Sequence, residues 1–185
     1  MAKLYPVGIQ DFKKIRTGGY VYVDKTALLH RLVSTGSYYF FGRPRRFGKS
    51  LMISTLEAYF EGKKELFEGL AMEQLEKDWI ERPVLHIDLN SQEYNSRKSL
   101  EDILDGYLTR WEEQYGRDPG GNSLSLRFGG VIRRAAKQTG QNVAILIDEY
   151  DKPLIQALGN EELQDEYRNI LKAFYGNLKS CDGYI

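Results

Sequence analysis

The stretch from Tyr38 to Phe60 constrains the fold more than any other part of the chain. An aromatic run, Tyr38–Phe41, ends at Gly42. A basic turn follows through Arg43, Pro44, Arg45, Arg46 and Phe47, then Gly48–Lys49–Ser50, then a helical pattern from Leu51 to Phe60. Consecutive aromatics without polar alternation predict a short buried strand. A Gly-Lys-Ser turn opening a helix points several backbone N–H groups at one spot, next to the positive end of the helix dipole. Such a turn can hold a phosphate chain, with Lys49 reaching the terminal phosphates and the Ser50 hydroxyl ligating Mg²⁺, so residues 42–50 read as a P-loop. The candidate nucleotide contacts are Arg45, Arg46, Phe47, Gly48, Lys49, Ser50 and Leu51. The usual spacing puts a Gly where Arg43 stands, and Gly42 lies one residue too early. An ordinary solvated basic turn is the competing reading of this stretch alone.

A second stretch narrows the choice. Val143–Ala144–Ile145–Leu146–Ile147 is apolar without alternation, as expected of a strand covered on both faces, and it runs straight into Asp148 and Glu149. Residues 143–149 therefore read as a Walker B strand. Asp148 is expected to hold Mg²⁺ indirectly or through water, and Glu149 to orient and deprotonate an attacking water. Together the two stretches make a nucleotide site with ATP and Mg²⁺ as its cofactors. Its catalytic residues are Glu149 and Lys49, and its metal-holding residues Ser50 and Asp148.

Composition excludes several other classes. The chain has 185 residues, enough for a core of its own. Its 26 basic and 26 acidic side chains balance, so bulk charge indicates neither nucleic acid nor an anionic membrane surface. Arg43, Arg45 and Arg46 are the local exception, and they fall where phosphates are expected. The single cysteine, Cys181, allows no internal disulfide and reads as a small core side chain; it suits a reducing compartment. Two histidines and one cysteine are too few for a structural zinc site. The first residues lack the apolar centre of a signal peptide and no apolar run is long enough to span a bilayer, so a cytoplasmic protein is expected.

Along the chain, Gly8–Arg16 reads as a short capped helical turn and Tyr20–Val23 as a β-rich run. Asp24 or Thr26 is the expected N-cap of a helix through Leu28, Leu29 and Leu32. Tyr20 and Tyr22 are read as core packing rather than adenine stacking. Pro83 stands at the entrance of a strand through Leu89, with His86 buried and hydrogen-bonded inside it. Asp88 and Asn90, at its carboxyl end, are read equally as Mg²⁺ or water contacts and as helix-capping residues. Helices are predicted over 99–116, 124–139 and 161–179; Gly129–Gly130 weakens the second and Gly140 stops it.

Four of these stretches, Tyr5–Phe12, Tyr22–Thr26, Arg43–Leu51 and Ile147–Pro153, resemble the predicted AAA-ATPase-like family of bacteria and archaea, in the family's order. The resemblance makes the absent early Gly a family trait. It implies ATP binding through Lys49, Ser50, Asp148 and Glu149, and a nuclease-like domain of the PD-(D/E)XK type that often follows. Self-association or that downstream domain are the macromolecular partners it suggests.

The fold expected is α/β, a three-layer α/β/α P-loop NTPase with a mostly parallel sheet. A carboxylate directly after the Walker B Asp marks the branch whose central strand follows Walker B. Three strands are expected before Gly183, so residues 1–185 read as the N-terminal part of one domain, truncated before that central strand. The leading functional reading is an ATP-hydrolysing conformational switch or motor, with this fragment inactive alone. The alternatives are a nucleotide-binding regulatory module with little turnover, a P-loop kinase, and a structural module with a vestigial site.

Overall fold

A computed structural model describes residues 4–42, 44 and 47–185. The chain divides into two compact units, Met1–Val84 and Leu85–Ile185.

The first unit is helical, with α1 (Phe12–Thr17), α2 (Thr26–Thr35), α3 (Lys49–Phe60), a 3₁₀ turn at Lys64–Phe67 and α4 (Ala71–Leu75). Its core forms around Phe12, fully buried, whose ring meets Tyr22 edge-on at 5.2 Å and Phe67 at 5.0 Å. Tyr22 is therefore a core residue. Asp11 caps α1, its side chain accepting from the Lys14 amide. Ser54 of α3 joins the two helices: its hydroxyl accepts from the Phe12 amide at 3.0 Å and donates to the Gln10 carbonyl at 3.1 Å.

Asp24 has the widest reach in this unit. One carboxylate oxygen accepts from the Thr26 amide (2.8 Å) and hydroxyl (2.7 Å), and the other accepts from the Ala71 amide (2.7 Å), the first of α4. The Thr26 hydroxyl, fully buried, accepts in turn from the Met72 amide at 3.0 Å. Lys25 rather than Asp24 or Thr26 is the N-cap position of α2; Asp24 reaches in to accept from that helix's first amide, while Thr26 serves the start of α4.

Two expected β-runs are not strands. Tyr20–Val23 turns against the end of α1: the Tyr20 amide donates to the Ile15 carbonyl at 3.1 Å, and the Tyr20 ring lies where a Cβ on Gly18 would stand only 2.5 Å from it. Tyr38–Phe41, the expected P-loop strand, is not a strand among the described residues, and Tyr38, Tyr39 and Phe40 are exposed. Tyr39 serves α2 instead. Its hydroxyl donates to the Leu32 carbonyl and lies 3.1 Å from the Thr35 hydroxyl, in the last turn of that helix. Gly36 makes the approach possible, since a Cβ there would sit 2.8 Å from the Tyr39 oxygen. A four-residue run closed by glycines offers few ladder bonds, and a helix end has carbonyls in need of donors.

The second unit holds the sheet. Strand β1 (Val84–Asp88) pairs with β2 (Ala144–Asp148) in a small parallel sheet, so the chain is α/β and two of the three expected strands form. Between them run α5 (Arg97–Tyr115) and α6 (Leu124–Thr139); after β2 come α7 (Lys152–Gln156), α8 (Glu161–Ser180) and a 3₁₀ turn at Asp182–Tyr184. Leu100, Leu104, Leu108 and Trp111 form the buried stripe of α5, at the spacing of one helix face. They pack with Phe128 and Val131 of α6, Tyr167 and Phe174 of α8, and Leu85 and Ile87 of β1. The rings of Phe128 and Phe174 stack at 4.3 Å and 7°, with Trp111 at 6.0 Å from Phe128. Gly129 and Gly130 have a packing role in α6. A Cβ on Gly129 would stand 3.3 Å from the Asn177 oxygen of α8, so glycine allows the two helices to approach. Cys181 is fully buried beneath them.

Burial alone would raise the Asp24 carboxyl, but the amides of Ala71 and Thr26 and the Thr26 hydroxyl outweigh it and hold its pKa below the usual range. Its folded pKa is depressed, so its contribution to stability is full above the unfolded value of about 3.9 and is lost as pH falls through the folded one. Asp24→Ala is expected to cost about 1–2 kcal/mol at pH 7, the scale of a lost helix cap, as read by urea unfolding. The difference from wild type should shrink when the titration is repeated at about pH 3, below the ordinary carboxylate pKa.

Candidate nucleotide site

The candidate residues of the first unit stand at the start of α3. Gly48 has φ 75° and ψ 28°, the left-handed region that glycine enters freely, and α3 begins at the next residue. A Cβ on Gly48 would meet nothing within 4 Å among the described residues, and the left-handed backbone is what favours glycine here. Its carbonyl accepts the helical bond from the Met52 amide at 3.0 Å. No side chain among the described residues caps α3, whose first two residues, Lys49 and Ser50, are half-buried. Leu51 is half-buried and Phe47 exposed. Ser54 and Thr55 donate to the Leu51 carbonyl at 3.1 and 2.7 Å, fixing the turn that follows. Of the remaining candidates, Arg45 and Arg46 lie outside the described residues, as does Arg43.

The candidate residues of the second unit stand at the carboxyl end of the sheet. Asp148 closes β2 and is 7% exposed; its Oδ1 accepts from the Glu149 amide at 3.0 Å. Glu149 is half-buried and has φ 51°, the left-handed region that a residue with a Cβ enters at a cost. Its carbonyl accepts from the Lys152 amide at 3.0 Å as the chain turns into α7. Strand β1 ends alongside, with the Leu89 amide donating to the Asp148 carbonyl at 3.2 Å. Asp88, Asp148 and Glu149 thus gather where open α/β sheets place their ligands.

Asp88 and Asn90 have local tasks here. Asp88 Oδ1 accepts from the Asn90 amide at 2.8 Å, and Asn90 accepts the Lys152 ammonium through its backbone carbonyl (2.7 Å) and Oδ1 (2.8 Å). Neither caps a helix; α5 has a capping box of Ser96 and Ser99. His86 is half-buried in β1. Two residues that sequence reasoning missed hold this edge. The Tyr107 hydroxyl accepts from the Asp88 amide (3.0 Å) and donates to the Asp88 carbonyl (3.1 Å), pairing backbone groups at the strand's end. Neither Tyr107 nor Lys152 stands in a site pattern in the sequence; the fold brings them to this edge.

Lys49 and Ser50 belong to the first unit, Asp148 and Glu149 to the second. The Ser50 hydroxyl and Asp148 carboxylate are hard oxygen donors of the kind Mg²⁺ takes together with water and phosphate oxygens. A helix start without a capping side chain, preceded by a left-handed glycine, suits an anion.

Residues 6–185 match the pattern of the AAA-ATPase-like family, described as predicted AAA-ATPase. The chain belongs to this family. Membership supports nucleotide binding in general. The chain is also 40% identical over 185 residues to an uncharacterized protein in the vnfD 5′ region of Azotobacter chroococcum mcd 1, a match covering 99% of this chain and 36% of that protein. The chain therefore spans well under half of that relative's length. No solved structure matches it. Among the described residues, no helix is long and apolar enough to cross a membrane.

Because the space beside Gly48 is open, Gly48→Ala is expected to cost only the backbone penalty, about 1–2 kcal/mol in urea unfolding. Gly48→Asn should cost less, since asparagine tolerates that conformation.

Proposed function

We propose that this chain carries the ATP site of a P-loop NTPase, and that hydrolysis there drives a conformational switch. The observation that carries the reading is the left-handed Gly48 turn opening an uncapped helix with Lys49 and Ser50 in its first turn. The buried Asp148 followed by Glu149 at the end of a parallel strand supports it.

In this reading the amides at the start of α3 and the Lys49 ammonium bind the phosphate chain, with Arg45, Arg46, Phe47 and Leu51 completing the contacts. Lys49 neutralises charge that develops on the transferred phosphoryl oxygens. Ser50 and Asp148 would hold Mg²⁺, which when bound supplies Lewis-acid stabilisation of phosphate charge. Glu149 orients a water in line with the terminal phosphate and accepts its proton, so the products are ADP and phosphate. In the whole protein the switch would act on a further domain, a nuclease-like one by resemblance, or on a second copy.

Calorimetric titration with ATP, with and without Mg²⁺, tests the site. The wild-type protein should bind and Lys49→Ala should not; a folded protein that ignores ATP overturns the reading. Glu149→Gln should keep ATP binding and slow phosphate release by about 10²–10⁴-fold, the range for a lost general base. Undiminished turnover in that variant would remove Glu149 from the role. Tight binding without turnover in the wild type would instead mark a regulatory module.

A further inference from the structure

Glu149 stands in a backbone conformation that its side chain disfavours, so the turn needs support from outside itself. The structure shows where that support comes from. Lys152 spends two of its three ammonium donors on a single residue, Asn90, at 2.7 and 2.8 Å. Asn90 is in turn fixed to the end of β1 by Asp88. The same Lys152 closes the Glu149 turn through its amide, and the Leu89–Asp148 backbone bond completes a ring of contacts from strand to strand. Lys152 is half-buried and Asn90 exposed, so these charge-assisted bonds, stronger than neutral ones, lie near the surface. A second tie lies one helical turn further along α7, where the Gln156 side-chain oxygen accepts from the Tyr94 amide at 2.7 Å. That tie anchors α7 without touching the Glu149 turn.

We propose that Lys152 is a positioning residue: through Asn90 it clamps the Glu149 turn to the end of β1 and so fixes where the Glu149 carboxylate stands. The catalytic consequence rests on the reading of Glu149 as the base; the clamp itself does not.

The test compares Lys152→Met, Asn90→Ala, their double variant and Gln156→Ala in the whole protein, by amide hydrogen exchange and by ATP turnover. In Lys152→Met, exchange at residues 149–151 should rise about tenfold, the effect of one lost hydrogen bond, while the rest of the second unit keeps its protection. Its kcat should fall about 10–100-fold, as expected of a displaced catalytic group, with the ATP Kd unchanged. The double variant should be no worse than the more damaging single, because both remove one shared path. Lys152→Arg, which can still reach Asn90, should recover most of the turnover. Gln156→Ala should lower the melting temperature and leave kcat where it was. Unchanged exchange at 149–151 in Lys152→Met overturns the clamp, whatever happens to turnover. Faster exchange with an unchanged kcat overturns the positioning role. If the wild-type protein neither binds nor hydrolyses ATP, the functional reading fails, and the exchange result still decides the clamp.

Discussion

The first amides of every helix need an acceptor, and how this chain answers that need organises much of its structure. Helices α5, α6 and α8 begin at Ser96, Ser123 and Asn160, whose side chains accept from amides in the first turn. For α2 the acceptor is Asp24, reaching in from the residue before the cap. Helix α3, twelve residues long, is given no such side chain among the described residues. Where the other long helices are closed by their own sequence, this one starts from a left-handed glycine and leaves its positive end to be met from outside. The proposed phosphate site is thus a departure from the chain's own habit.

The second unit has a firm core. The Phe128–Phe174 stack joins α6 to α8, and Trp111 brings in α5. Beside it, Arg127, 7% exposed, donates to both carboxylate oxygens of Glu112 at 3.0 and 2.8 Å and also bonds Asp105. The Glu112 bonds come first among the causes holding the guanidinium protonated, ahead of burial, which opposes it. A buried pair of this kind contributes little net stability, since desolvation offsets attraction, but removing one partner strands the other. It fixes the register of α6 against α5, and with it the strands that those helices connect.

Much of this was legible in the sequence. The three long helices of the second unit are strongly periodic, and Gly140 stops α6 in the left-handed conformation expected of it. Both strands ending in carboxylates were foreseen, because short apolar runs led into Asp88 and Asp148, with Pro83 marking the entrance of the first. The aromatic run at Tyr38–Phe41 misled. Its lack of alternation looks like burial on both faces, but side-chain pattern carries no information about a nearby helix end that can use a tyrosine hydroxyl. Asp24 was half legible: its cap of α2 is local, while its bond to Ala71 joins residues far apart in the chain. The same holds for Lys152 and Asn90, whose contact no spacing rule could indicate. Short-range order was readable; polar contacts across the fold were not.

The backbone at Glu149 has an evolutionary corollary. A glycine at that position would adopt φ 51° without strain, although it would lose more entropy on folding. The glutamate is therefore kept against the local preference of the chain. Under the proposed role of Glu149 as the base, stability and turnover pull in opposite directions at this one residue. In that reading, a lineage released from the need for its carboxylate would have little to hold it there.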